Sequence, residues 1–550
     1  LLDVGFAHVD WAILIVSLVI VFYAGMVGKR YVRHSTDFLV AGRQLGPYVG
    51  TISMMSTEIG IVTFMYYAEM GVLYGFSAFI AGLVAAATHL FLGVTGFMIK
   101  KFRELELVTL PQFFEQRYNR RVRVLAGVLM AVGGALNFGV FPIIEATFLN
   151  IVTGIPRDYI ILTMVIMLGM VLVYTTLGGM VSVLVTNYIQ YVILAAGMVI
   201  VTWYCFSVVG WDPMVKTVES EMGELGFDAL AHPSFGWQFL LWQVLAWLAG
   251  LTAWAPVAVR AFSSENPEIG KKIFRWAAVL FLGRATLPMI WGIAALTYLQ
   301  GRDFVPIEGA PMFFREVLPM GIKGTVVAAM LAASMSTYSG YLLAFSSVIS
   351  EDIIIPLRKR ALSERTELII NRVTVLLLSV FIIIWGLFYV VPAATYFYLQ
   401  MTANLFLAGT FWALVGGLYW NKAHALGAYW ALIFGASSTL IYFLIPNPEE
   451  WTGAIGVASY ILAFMGMVAG SLIGTYVHSR RIRILLSVAV ILSAVLGLYV
   501  YWAIPSRDIW LNSWIVLIWV SAATFIALSA YAIVKGFTEL KEMLRRMPGV

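Results

Sequence analysis

Apolar runs of about twenty residues or more, parted by short charged segments, recur along almost the whole chain, and this feature limits the fold most. Coiled as helix, such a run matches the hydrocarbon thickness of a bilayer. Barrel strands would be about half as long and would alternate in polarity. A water-soluble fold is excluded, because 61% hydrophobic against 12% charged residues in a chain of 550 leaves too little polar surface to face water. The chain is therefore expected to be an all-α polytopic membrane protein.

The runs predict about fifteen membrane helices. They lie near 11–28, 47–71, 75–99, 124–152, 157–177, 181–209, 237–258, 276–299, 320–350, 370–391, 394–419, 425–445, 455–477, 484–504 and 511–534. With the N-terminus outside and the C-terminus inside, most of the 35 Lys and Arg fall in cytoplasmic segments, as in 100–123 and 478–483. That topological role accounts for the net charge of +6 without a nucleic-acid partner. The longest external loop, 210–236, is acidic. The opening LLDVGFAHVDW has no basic n-region, so no cleavable signal is expected.

One cysteine, Cys205, cannot form an internal disulfide, and six scattered histidines are not spaced as metal ligands. No metal or organic cofactor is expected beyond a transported ion. No phosphate-loop motif is present and the cytoplasmic loops are short, which argues against ATP-driven transport and for a secondary transporter. A membrane enzyme, a channel or a transporter-like sensor are the alternatives from other classes.

Two polar clusters interrupt the apolar pattern. In GTISMMSTEIG (50–60) a carboxylate, Glu58, is flanked by Ser56, Thr57 and Gly60; local hydroxyl bonding and the glycine favour an unwound turn there. In AAMLAASMSTYSG (328–340), Ser334, Ser336, Thr337 and Ser339 favour a second break. The Ser336 and Thr337 hydroxyls with the Ala333 carbonyl offer hard oxygens to a small monovalent cation; close helix packing through small residues accounts for the same pattern.

Several stretches, in this order, resemble the sodium/solute symporter family: DFLVAGRQLGP (37–47), GVLYG (71–75), TLPQFFEQRY (109–118), TLGGMVSVLVTNYIQ (176–190), LAASMSTYS (331–339), SSVISEDI (346–353) and GLYWNKAHALGAYWALIFG (417–435). VAVRAFSS (257–264) and YLLAFSSVISEDI (341–353) look closer to the sodium/proline branch than to the sodium/glucose branch. The resemblance implies a five-plus-five inverted repeat of LeuT type with broken first and sixth core helices. Here the parts would be an extra helix and loop (1–46), a first repeat (47–209), an external loop (210–236), a second repeat (237–419) and four further helices with a tail (420–550).

It further implies a sodium site built from Ser56, Ile59, Ala333, Ser336 and Thr337, and alternating access in a cell or inner membrane. Members with a second sodium resemble one another at an acid in the TDxxQ motif and at added hydroxyls along the eighth core helix. This chain has Asn187 where the acid is expected, and Gly340 beside Ser339 where a hydroxyl is expected. The second sodium is therefore expected to be absent, since an amide lacks the charge that helps hold a hard cation.

Glu58 is read three ways: a contact for an amine-bearing solute or the ion, a proton carrier, or one half of an ion pair with Arg284, taken as the one arginine deep within a span. Arg284, Trp254, Asn137, Tyr396 and Gln400 complete the expected solute site. Glu69 and Glu145 are expected to be solvated at outer helix ends, and Pro142, Pro256 and Pro288 to be kinks. The expected activity is sodium-coupled import of a small solute, an amino acid or other amine first, with sugar or monocarboxylate as alternatives.

Overall fold

The structure is a computed structural model describing residues 5–28, 41–105, 109–357, 363–389, 395–443, 452–475 and 537–542. The predicted helices at 484–504 and 511–534 lie outside the described residues. Within them the chain is helical throughout, with one isolated bridge between Leu45 and Ser264. Among the described residues, nine helices are long and apolar enough to cross a membrane, or ten with one bent pair counted as a span.

The principal helices are α1 (His8–Gly28), α2 (Pro47–Glu58), α3 (Ile61–Tyr74), α4 (Phe79–Thr95), α5 (Arg120–Gly139), α6 (Phe141–Thr153) and α7 (Ile160–Tyr204). They continue as α8 (Gly236–Ala253), α9 (Ala255–Ser263), α10 (Pro267–Tyr298), α11 (Ile322–Ser347), α12 (Glu364–Phe388), α13 (Thr395–Tyr419), α14 (Ala425–Tyr442) and α15 (Thr452–Thr475).

The expected break at Glu58 is present. α2 ends there, Ile59 is extended (φ −116°, ψ 101°), and α3 starts at Ile61. A second break falls at Trp254, where α8 and α9 meet with a 50° bend. Pro256 occupies the first turn of α9, where its missing N–H removes no hydrogen bond. Pro142 starts α6 in the same way, whereas Pro288 lies inside α10.

The break expected in 328–340 does not occur, and α11 runs unbroken from Ile322 to Ser347. Its hydroxyls bond back onto their own helix: Thr337 to the Ala333 carbonyl at 3.1 Å and Ser339 to the Ser336 carbonyl at 3.1 Å. Such back-bonding satisfies a buried hydroxyl without unwinding the turn. The two helices predicted at 157–177 and 181–209 are likewise one continuous helix to Tyr204, with a short π-turn after it. Only Gly178, Gly179 and Met180 separate the two runs, and a glycine costs about 1 kcal/mol in a helix without ending it.

Packing centres on α11, which lies against α7, α1 and α2, and on α10, which lies against α4 and α3. Small residues set the closest approach: a Cβ on Gly292 of α10 would sit 1.9 Å from the Ala68 carbonyl oxygen of α3. At the start of α2, Glu539 accepts the backbone N–H groups of Tyr48 (3.0 Å) and Val49 (3.2 Å), capping the helix from a distant part of the chain. Leu540 beside it is buried in the main core.

Candidate functional site

The two breaks face one another across a cavity of about 100 Å³. Glu58 and Trp254 reach it from the breaks, Asn137 from α5, Arg284 from α10, Thr337 and Tyr341 from α11, and Tyr396 and Gln400 from α13. Every residue expected to contact a solute therefore lines one cavity.

Beside the cavity, α2 meets α11. The Ser336 hydroxyl oxygen lies 2.6 Å from the Ser56 carbonyl of α2 and 2.7 Å from the Ala333 carbonyl of α11. Its one proton serves only one of those two carbonyls at a time. Thr337 Oγ1 sits 3.1 Å from the Ala333 carbonyl, and a Cβ on Gly60 would come within 2.8 Å of it, so the absent side chain lets the broken strand lie against α11. Four of the five expected ion ligands are thus gathered in one buried cluster of oxygens with few protons between them, a donor set that suits a hard monovalent cation. Ile59, the fifth, forms the extended link at the break.

Around Asn187, where the family pattern has the acid of a second ion site, polar side chains bond to one another. Asn187 donates to Ser53 Oγ (3.1 Å) and Thr57 Oγ1 (3.2 Å). Arg260 of α9, 1% exposed, donates to the same two hydroxyls, with 3.2 Å from Nη2 to Ser53 Oγ, and to the Pro256 carbonyl at 2.7 Å. Gly340 leaves room for Thr57, since a Cβ there would meet Thr57 Cγ2 at 2.3 Å. Ser339 turns to its own helix. Arg260 corrects the expectation that Arg284 is alone at depth; the charge was legible within VAVRAFSS but was taken only as a family signature.

Of the readings of Glu58, an ion pair with Arg284 is not formed. Arg284 Nε donates to the Glu58 main-chain carbonyl (2.7 Å) and Nη2 to the Tyr66 hydroxyl (3.3 Å), while the Glu58 carboxylate accepts from the Tyr341 hydroxyl (3.3 Å). Neither side chain belongs to an ion pair among the described residues. The Phe281 ring lies 4.8 Å from the Arg284 guanidinium, within cation–π range.

The other contacts show which side chains are already engaged. Asn137 Nδ2 ties α5 to α13 through the Leu399 carbonyl (2.6 Å) and Thr402 (2.9 Å). The Tyr396 hydroxyl donates to Gln243 Oε1 (2.7 Å), which also accepts from Gln400 (2.9 Å). Trp254 donates from its indole to Tyr341 (3.1 Å) and stacks on Phe406, leaving it as a wall of the cavity. Tyr341 was missed, yet it lies four residues beyond Thr337 and so on the same face of α11.

Glu69 and Glu145 correct another expectation, since both are buried. Glu69 accepts the Thr395 N–H (3.0 Å) at the start of α13, and Glu145 accepts from Ser334 of α11. Each is drawn inward by a donor on a helix remote in sequence, which span-end counting does not see.

Comparison with known proteins gives a consistent result. The description "Sodium:solute symporter family" matches residues 38–435. The osmoregulated proline transporter of Bacillus subtilis is 25% identical, covering 84% of this chain and 94% of the relative. The sodium/pantothenate symporter of Escherichia coli is 25% identical over 85% and 97%, and sodium/glucose cotransporter 4 of Danio rerio is 23% identical over 78% and 70%. Among solved structures, a sodium-coupled sialic acid symporter in a substrate-bound outward-open state superposes with a TM-score of 0.73 at 19% identity, covering 85% of this chain and 98% of its own. The transporter Mhp1, closed around bromovinylhydantoin, superposes at 0.51 and 15% identity over 79% and 94%.

Proposed function

The chain belongs to the sodium:solute symporter family, and from that premise we propose that it imports a small amine-bearing organic solute, an amino acid first, with one sodium ion per cycle. It is an integral membrane protein of a transporter family, and its neighbours in fold are LeuT-type transporters. The observation that carries the reading is the cluster of Ser56, Ala333, Ser336 and Thr337 oxygens at a helix break directly beside the central cavity.

In this reading a sodium ion takes the oxygens of Ser56, Ile59, Ala333, Ser336 and Thr337 and holds the α2–α3 break against α11. The cavity between the breaks then has one arrangement, ready for solute. Loss of the ion to a low-sodium cytoplasm frees α2 and lets the solute leave inward. Coupling of this kind needs only that sodium bind one conformation better than the other. A single ion fits the Asn187 amide and the Arg260 guanidinium sharing the hydroxyls of Ser53 and Thr57. Glu58 is the contact for the amine, with Trp254, Tyr396, Gln400 and Asn137 shaping the rest. The two repeats would span 47–209 and 237–419, in a cell or inner membrane. The matched relatives are named for proline, pantothenate and glucose, so membership alone leaves the solute open.

The test is uptake into proteoliposomes of a panel of labelled amino acids, amines, sugars and short acids, under an inward sodium or potassium gradient. Uptake of an amine-bearing solute driven by sodium alone, with one ion per solute, is expected. Equal uptake in both salts would overturn sodium coupling, and a stoichiometry of two would overturn the single site.

A further inference from the structure

Arg284 is 4% exposed in the middle of α10, and its three nitrogens have different fates. Nε holds the Glu58 carbonyl and Nη2 reaches Tyr66, but Nη1 is buried with no hydrogen-bond partner, while the residue lines the central cavity. A buried charged donor left unmade is costly, and native structures retain one where something else supplies the acceptor. Aromatic rings close its other sides: Phe281, Tyr67 and Trp247 have centroids 4.8, 5.8 and 5.9 Å from the guanidinium carbon. They offer π faces to the cation, and none of them accepts from Nη1.

The charges around the cavity point the same way. Glu58 and Arg284 are the charged residues that line it, and Arg260 is buried behind, on Ser53 and Thr57 of α2. One carboxylate thus faces two guanidiniums, and a sodium ion at the break would add a further positive charge. A cavity so arranged favours an occupant that brings a negative charge.

We infer that the transported solute carries a carboxylate, and that this group docks on Nη1 of Arg284. The inference rests on the symporter reading above and narrows its solute to an amino acid or other amine-bearing acid, excluding neutral sugars and simple amines. A planar guanidinium offers a carboxylate directed hydrogen bonds as well as charge, which an ammonium at the same place would not match. The size of the cavity agrees, since a 150 Å³ cavity holds about one benzene ring, and the space here is near 100 Å³.

The same side chain supplies a route for coupling. Nε is bonded to the carbonyl of Glu58, which lies between the expected ion ligands Ser56 and Ile59. A carboxylate on Nη1 therefore fixes the guanidinium that fixes the break, so solute and ion each bind better when the other is present. By linkage the two enhancements of affinity must be equal.

The experiment uses the full chain purified in detergent and matched pairs of probes that differ in one group. The pairs are propionate with propionamide, L-alanine with L-alaninamide, and L-proline with L-prolinamide, with glucose as a neutral control. Thermal stabilisation is titrated in sodium and in potassium chloride. At least one acid should stabilise the protein while its amide does not, and its affinity should fall about 10- to 150-fold in Arg284→Gln, the range for losing a hydrogen bond to a charged group. Arg284→Lys should recover only part of that loss. Stabilisation by an amide or glucose equal to that by the acids, or by none of the acids, overturns the carboxylate. Acids that stabilise equally in both salts leave it standing and sink the sodium reading instead. The pairs are compared on the unaltered protein, so the result holds even if an Arg284 variant does not fold.

Discussion

Replacing Ser336 by alanine separates an ion ligand from a packing hydroxyl. In the ion-free protein the change removes a hydroxyl 2.6 Å from the Ser56 carbonyl and 2.7 Å from the Ala333 carbonyl. Losing one neutral hydrogen bond of this kind costs about 1 kcal/mol. If the oxygen also binds sodium, a charge-assisted contact worth about 1.5–3 kcal/mol goes with it, and the sodium dissociation constant rises roughly 10- to 150-fold. At sodium one hundred times the native dissociation constant, binding stabilises the native chain by about 2.7 kcal/mol; a 30-fold weaker site retains about 0.9 kcal/mol. The assay is thermal unfolding in detergent across a sodium titration at constant ionic strength, with potassium making up the difference. Ser334→Ala is the control, because that hydroxyl is directed to Glu145 instead. It should lower stability equally in both salts. If Ser336→Ala behaves like Ser334→Ala, the sodium site is wrongly placed.

Three other outcomes are expected. Asn187→Asp should set a carboxylate beside Arg260, which shares Ser53 and Thr57 with it; the acid should pair with the guanidinium, and the stoichiometry of uptake should stay at one sodium. Gly292→Ala should destabilise the protein by about 1–3 kcal/mol, the usual range for overpacking, because its Cβ would lie 1.9 Å from a backbone oxygen; an unchanged unfolding temperature would argue against the α3–α10 contact. His232, in the loop before α8, accepts the Ser234 N–H on Nδ1 (3.1 Å), and burial holds its pKa below the usual 6.5. The unfolded loop then takes up a proton first, so the contribution of His232 is complete above 6.5 and is lost as pH falls below it. Limited proteolysis of 223–236 should speed up on acidification, and less so in His232→Gln.

How far the sequence could be read depended on how local each interaction was. The break at Glu58 was legible because hydroxyls, a carboxylate and a glycine crowd within a few residues of an apolar run. The hydroxyls of 331–339 look the same on paper, yet those of Ser336, Thr337 and Ser339 close onto carbonyls three and four residues back and α11 stays unbroken. Glu58 and Arg284 stand out in the sequence as charges within apolar runs, and with Trp254, Asn137, Tyr396 and Gln400 they line one cavity. What they bond to was out of reach. Arg284 chooses the main chain of Glu58 over its carboxylate, Glu145 meets Ser334 across 189 positions of sequence, and Glu69 meets Thr395 across 326. Such pairings follow from how helices are stacked, which hydropathy alone leaves undetermined.

The cap that Glu539 places on α2 has a practical consequence. The chain's one cysteine, Cys205, is buried, so the unaltered protein already provides a nearly silent background for thiol chemistry. Lys541 stands exposed two residues beyond the cap. A fluorophore attached through Lys541→Cys would report whether the tail rests on α2, and so would time the departure of that helix during turnover by its change in brightness.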